Sequence, residues 1–148
     1  MSDRGRVLGL DFGTRRIGLA VSDPDGCFAF PAGCLISKGR KKDLQNLCAL
    51  VEERGIRRIV VGLPIHMNGD VGPEAEAARS FADGIARATG LPVDMIDERW
   101  TTVEAERAFR DPRGRRTKAA RSGELDAAAA TILLRSYLEK RSREADPS

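Results

Sequence analysis

Apolar residues in this chain come in two rhythms: short unbroken runs, and longer stretches in which they recur at helical spacing. The first run, Arg6-Val7-Leu8-Gly9-Leu10-Asp11, predicts a buried strand ending on a carboxylate, with a turn at Gly13-Thr14 and a returning strand over Ile17 to Ser22. Asp23-Pro24-Asp25-Gly26 is a turn sequence, and Cys27 to Ile36 supplies a third strand in which Pro31 and Gly33 predict a bulge or a sheet edge. Residues 41 to 54 place Leu44, Leu47, Cys48 and Val51 on one helical face, and Gly55 stands where a helix C-terminal glycine belongs. Arg57 to Pro64 is a β-branched strand, and a strand that follows a helix implies a parallel crossover.

A polar, glycine-containing loop over residues 65 to 72 leads to Pro73, which starts a helix running through about Ala86. Leu91 to Ile96 is the next buried strand and delivers Asp97-Glu98-Arg99 at its end. Thr102 caps a helix from Val103 to Phe109, a basic loop covers residues 111 to 121, and a last helix runs from about Gly123 to Lys140. In that helix Ala127 to Ala130 gives a thin face for close contact with the sheet, and Ile132, Leu133 and Tyr137 are expected core. The order predicts an α/β fold: a mixed five-stranded sheet, a three-stranded antiparallel meander plus two parallel strands, flanked by helices. Residues 1–140 are expected to form one domain, with 141–148 a frayed tail.

A chain of 148 residues is long enough to bury a core without disulfides or structural metals. With 41% hydrophobic and 32% charged residues, its balance is that of a globular protein and excludes disordered and fibrous classes. Three cysteines, Cys27, Cys34 and Cys48, form no CxxC pair and fit reduced thiols, and a single histidine argues against a zinc site. No stretch has the length of a signal peptide's apolar core or of a membrane span, so a cytoplasmic location without membrane contact is expected. The net charge is only +3, yet Arg110, Arg113, Arg115, Arg116, Lys118 and Arg121 crowd into one stretch. Such a cluster suits a nucleic-acid backbone, although a solvated loop with no partner reads nearly as well.

Three carboxylates occupy telling places: Asp11 at the end of the first strand, Glu98 at the end of the last, and Asp126 near the start of the final helix. In open α/β sheets function gathers at the carboxyl ends of strands, and a helix start packed there adds a side chain to the same cleft. Carboxylates repel one another unless cations hold them, and hard oxygen ligands suit Mg²⁺ or Mn²⁺. Two such ions about 3.5 to 4 Å apart would clamp the attacking water and leaving oxygen of a phosphodiester, with no side-chain nucleophile required. Taken singly, each carboxylate reads more simply as a helix cap or a solvated strand end.

Gly9, Gly13 and Gly18 surround Asp11 and are expected to serve tight hairpin packing. The DFGT tract followed by IGLAV is also similar to the first phosphate-binding hairpin of actin-like ATPases, but those need two domains closing on ATP, and this length holds one. In the loop Gly62 to Gly69, Asn68 can hydrogen-bond a phosphate or sugar, while a simple surface turn is the alternative and His66 reads as merely exposed. Arg99 is placed to hold a phosphate or pair with a carboxylate; Trp100 reads as packing, and Thr101 and Thr102 as helix caps.

These pieces together resemble the YqgF/RuvX family. The resemblance rests on Leu8-Gly9-Leu10-Asp11-Phe12-Gly13 with Arg16-Ile17-Gly18 and Ser22-Asp23, on GLPIHMNG with Gly72-Pro73, on Asp97-Glu98-Arg99 with Thr101 to Ala105, and on Asp126 to Ala129. The motifs occur in family order across nearly the whole chain. The resemblance implies an RNase H-like fold akin to the resolvase RuvC, and a nuclease that matures the pre-16S rRNA end. It carries the metal-binding acids onto Asp11, Glu98 and Asp126, and leaves a fourth carboxylate unassigned, with Asp97 and Glu124 as neighbours of the trio. Arg99, Asn68, Arg113, Arg115 and Arg116 are the expected substrate-binding residues. Structured RNA is the first expected partner and branched DNA, as in Holliday junction resolution, the second; a non-catalytic ribosome- or transcription-associated binding factor is the reading from another class. Monomer and homodimer both stay open.

Overall fold

A computed structural model of the chain describes residues 5–13, 15–63, 72–97 and 124–145. The apolar runs form strands β1 (Arg6–Phe12), β2 (Arg16–Ser22), β3 (Ala29–Ile36), β4 (Ile56–Leu63) and β5 (Val93–Asp97). The periodic stretches form helices α1 (Arg40–Arg54), α2 (Pro73–Thr89) and α3 (Glu124–Ala145). The sheet has the order β3-β2-β1-β4-β5. β1, β2 and β3 pair antiparallel as a meander, and β4 and β5 run parallel to β1. The expected mixed sheet is therefore present. β3 lies at an edge, and its register with β2 shifts between Gly18 and Ala20, where Pro31 and the positive-φ Gly33 interrupt the strand.

Side chains alternate across the sheet, and each face buries its own cluster. Leu8, Leu10 and Ile59 point to the face covered by α1 and α2, where Leu47, Phe81 and Ile85 complete the packing. Phe12 stacks on Phe81 with ring centroids 4.7 Å apart. Val7, Ala20 and Val60 point to the opposite face and meet Ala130, Leu133 and Leu134 of α3. Leu134 is fully buried. Leu134→Ala is expected to cost about 2 to 5 kcal/mol, read as a lower denaturant midpoint with an unchanged slope.

Element ends differ from the sequence reading for local reasons. α2 continues to Thr89 because the glycine that ends it is Gly90, at φ 72. β5 starts at Val93, after Pro92, whose carbonyl accepts the Ile59 N–H at 3.0 Å. α3 runs through Ala145, so residues 141–145 are helical; the next breaker in the chain is Pro147. In α3 the buried face takes in Leu134 and Leu138 beside Leu133 and Tyr137, while Ile132 is only half-buried. The helix expected over Val103 to Phe109 and the basic loop lie outside the described residues. No helix among the described residues is long and apolar enough to cross a membrane, and Cys27, Cys34 and Cys48 are free thiols.

The far half of α3 is tied to β5 by a polar link. The Tyr137 hydroxyl donates to Asp94 Oδ2, and Arg58 Nη1 donates to the same oxygen at 2.9 Å. Burial, then the hydrogen bond and charge of Asp94, push the Tyr137 hydroxyl up to about 12, against the opposing charges of Arg58 and Arg141. The neutral phenol is thus the form the fold favours. Its contribution is complete below the ordinary tyrosine range near about 10 and is lost as pH rises through the folded value. Tyr137 is the chain's one tyrosine, so tyrosinate absorbance reads this group alone, and a midpoint near about 12 is expected. Titration at the ordinary value would remove the buried link.

Candidate active site

β1, β4 and β5 run parallel and end at one edge of the sheet. Asp11 is the next-to-last residue of β1. Alternation with Val7 and Gly9, which meet α3, carries it to the α3 face. Directly across the β1–β2 ladder from Asp11 is Gly18.

Gly18 is the seat of α3. A Cβ built on it would stand 2.0 Å from the Asp126 carbonyl oxygen and 3.2 Å from the Asp126 Cα, so the helix backbone occupies the space a side chain would need. Asp126 therefore rests on the residue opposite Asp11, and the two carboxylate-bearing residues, 115 positions apart in sequence, share one end of one sheet face. Gly9 makes room for the next turns, since a Cβ there would meet Leu134 Cβ at 3.0 Å and the Ala130 carbonyl oxygen at 3.4 Å. Of the three glycines around Asp11, only Gly13 serves the hairpin, where a Cβ would press on the Arg16 carbonyl oxygen at 2.7 Å. The hairpin role expected for Gly9 and Gly18 is thus corrected: both are gaps that admit a helix. The thin alanine face does fit as expected, with Ala127, Ala129 and Ala130 buried.

Arg16, two residues before Gly18 on β2, reaches Asp126. Its Nη1 lies 3.7 Å from Asp126 Oδ2, with side-chain exposures of 41% and 33%. At that length the contact is an ion pair and not a hydrogen bond. Arg16 offsets the Asp126 charge without saturating its oxygens. The sequence assigned Arg16 no role and Gly18 only a hairpin one. Their only signal was the Arg16-Ile17-Gly18 motif, because the partner of both is decided by where α3 lands.

At the end of β5, Val93 and Met95 pack toward α1 and α2, while Asp94 and Ile96 face α3. Alternation puts Asp97 on the α1/α2 face, away from Asp11. Glu98, Arg99, Asn68, Arg113, Arg115 and Arg116 lie outside the described residues, as do His66, Trp100, Thr101 and Thr102. Among the described residues no group of three His, Cys, Asp or Glu gathers to hold a metal. Of the three expected metal-binding acids, Asp11 and Asp126 are described: both offer hard carboxylate oxygens, with Arg16 the one ion-pair partner of Asp126 among the described residues. This donor type fits Mg²⁺ or Mn²⁺ and not a soft-metal centre.

A family model described as RuvX, Holliday junction resolvase, matches residues 5–140, a span that contains both acids. The chain belongs to the RuvX family. Curated relatives agree. A protein of Koribacter versatilis is 44% identical over 137 residues, covering 93% of this chain and 88% of its own, and one of Chloroflexus aurantiacus is 41% identical over 135 residues, covering 91% and 87%. Both carry the name "Putative pre-16S rRNA nuclease". Among solved structures, Thermus thermophilus RuvC in complex with a Holliday junction substrate superposes with a TM-score of 0.58 at 13% identity, over 94% of this chain and 96% of that one. A second Thermus thermophilus RuvC structure gives 0.52 at 14% identity, over 93% and 96%. This RuvX-family chain therefore has the RuvC-type, RNase H-like fold that its motifs implied.

Proposed function

We propose that this RuvX-family protein is a nuclease that hydrolyses phosphodiester bonds with divalent metal ions, Mg²⁺ or Mn²⁺, held by Asp11, Glu98 and Asp126. The observation that carries the reading is the seat of Asp126 on Gly18, directly opposite Asp11. Two carboxylate-bearing residues brought to the carboxyl edge of one sheet face offer hard oxygen donors that suit a divalent cation. When bound, two such ions supply a hydroxide-like water and stabilise the leaving oxygen.

The chain's own residues do the rest. Asp11 and Asp126 present hard oxygens from a strand end and the first turn of a helix, which pack against one another through Gly18. Arg16 offsets the charge of Asp126, and as a guanidinium it suits an incoming phosphate. Arg99, Asn68, Arg113, Arg115 and Arg116 position the nucleic-acid backbone in this reading.

Maturation of the pre-16S rRNA end in the cytoplasm is the favoured activity, supported by the names of relatives above 40% identity. Branched DNA is the second reading, supported by the family description and the RuvC-like fold. The deciding experiment incubates ribosomal-RNA precursor and a four-way DNA junction side by side with the protein in Mg²⁺ or Mn²⁺. RNA trimmed at one end with the junction intact is the expected result. Junction cleavage alone would establish the resolvase reading, and tight binding with no cleavage of either would establish a binding factor.

A further inference from the structure

A cleft of about 360 Å³ opens between β5 and the C-terminal half of α3, on the same sheet face as Asp126 and lined by Arg58, Asp94, Tyr137, Lys140 and Arg141 with Met95 and Ile96 at its wall. Asp94 is the only carboxylate among the described lining residues, and Arg58 and Tyr137 both bond its Oδ2. Arg58 is thereby neutralised. Lys140 and Arg141 have no ion-pair partner among the described residues. The Arg141 guanidinium is held 5.8 Å from the centre of the Tyr137 ring, and that ring is fixed by its bond to Asp94. The cleft thus presents two positive groups beside a neutralised pair, which is the composition of an anion site.

Its position relates it to the catalytic edge. Leu10 of β1 is level with Val61 of β4, and Val61 with Met95 of β5, so Asp94 lies two residues below the level of Asp11 and two strands across. Strand spacings and rises convert this to about 12 Å. A strand in a duplex advances about 3.4 Å of helix axis per nucleotide and an extended strand about twice that, so about two to four nucleotides cover that distance. Charged and hydrogen-bonding side chains make up most of the lining, unlike the apolar pockets that enclose small molecules.

We infer that this cleft is a second phosphate subsite, in which Lys140 and Arg141 hold the backbone of the substrate strand about two to four nucleotides from the bond that is cut. The inference rests on the nuclease reading for its substrate, and it deepens that reading by setting a minimum length for tight binding. It owes nothing to the basic loop at 111–121.

The test measures binding, with Asp11→Asn as the parent so that turnover does not enter. The probes are an RNA spanning the mature end of the 16S precursor with about six nucleotides on each side of the cut, and a trimmed version with about one, too short to reach the cleft. Adding Lys140→Ala and Arg141→Ala is expected to weaken the longer RNA about tenfold or more and to lower its salt slope by about 1.4 to 1.8, leaving the trimmed RNA unchanged. Lys140→Ala alone, at an exposed position, is expected to show about half that slope change and guards against a folding defect. Equal affinity and slope in parent and variant would overturn the subsite and leave these cations as partners of the α3 carbonyl end. So would equal weakening of both RNAs, which marks a diffuse field, or no binding of the longer RNA by the parent. Cleavage by the protein with Asp11 intact is scored separately, so loss of the nuclease reading and loss of the subsite appear in different columns of the same experiment.

Discussion

Asp11→Asn is expected to lower the cleavage rate by about a thousandfold or more while the protein keeps its fold and its grip on nucleic acid. Asparagine has the same shape but one neutral carbonyl oxygen in place of two anionic ones, so it weakens cation binding without leaving a cavity. Metal stabilisation of a phosphoryl transition state is worth several kcal/mol, and each tenfold in rate corresponds to about 1.4 kcal/mol. Loss of about 4 kcal/mol gives the stated factor. Melting temperature supplies an independent check, because asparagine keeps the size and shape of the side chain. The variant should melt close to the parent. Asp126→Asn is expected to behave alike in cleavage, but it also removes the partner of Arg16, so its melting temperature should not rise. Near-parental turnover in either variant would exclude that carboxylate from the site.

Gly18→Ala carries the second large effect, and it acts through position, not charge. The added Cβ would lie 2.0 Å from a backbone oxygen of Asp126, a distance no flexible side chain can relieve. Either β2 or the first turn of α3 must move by an ångström or more. Overpacking of this kind costs about 1 to 3 kcal/mol of stability, and a misplacement of about 1 Å at a reacting centre costs about a hundredfold in rate. The variant should therefore be folded, less stable, and about a hundredfold slower, with the loss in kcat and not in KM because the phosphate contacts remain. Gly9→Ala is the control. Its Cβ meets mainly the Leu134 side chain, at 3.0 Å, which has room to adjust, so it should lose stability with a far smaller loss of rate. If Gly18→Ala turns over like the parent, α3 does not need its glycine seat to place Asp126.

Much of the fold is legible in the order of the residues. The unbroken apolar runs Val7 to Leu10 and Ile59 to Val61 mark buried strands, because a strand covered on both faces leaves no position for a polar side chain. Gly55 marks the end of α1 since only glycine takes its φ of 64 at low cost. Asp11 stands out as a charge terminating an apolar run. The extent of α2 and α3 is less legible: helix ends follow the nearest breaker and the tertiary contacts beyond it, not the last apolar residue.

The amino-acid sequence by itself determined the order of the described elements and the family, and marked Asp11 and Asp126 as candidate acids, since these depend on local period and on motifs in fixed order. Tertiary structure alone decided that Gly18 is the floor beneath Asp126, that Arg16 is its counter-charge, and that Arg58, Lys140 and Arg141 meet in one cleft. Those relations join residues tens of positions apart. They depend on the path α3 takes across the sheet, from Gly18 in β2, over Gly9 in β1, to Asp94 in β5. That path is set by which small residues leave room for the helix, and steric room is a property of packed neighbours that no single stretch of chain contains.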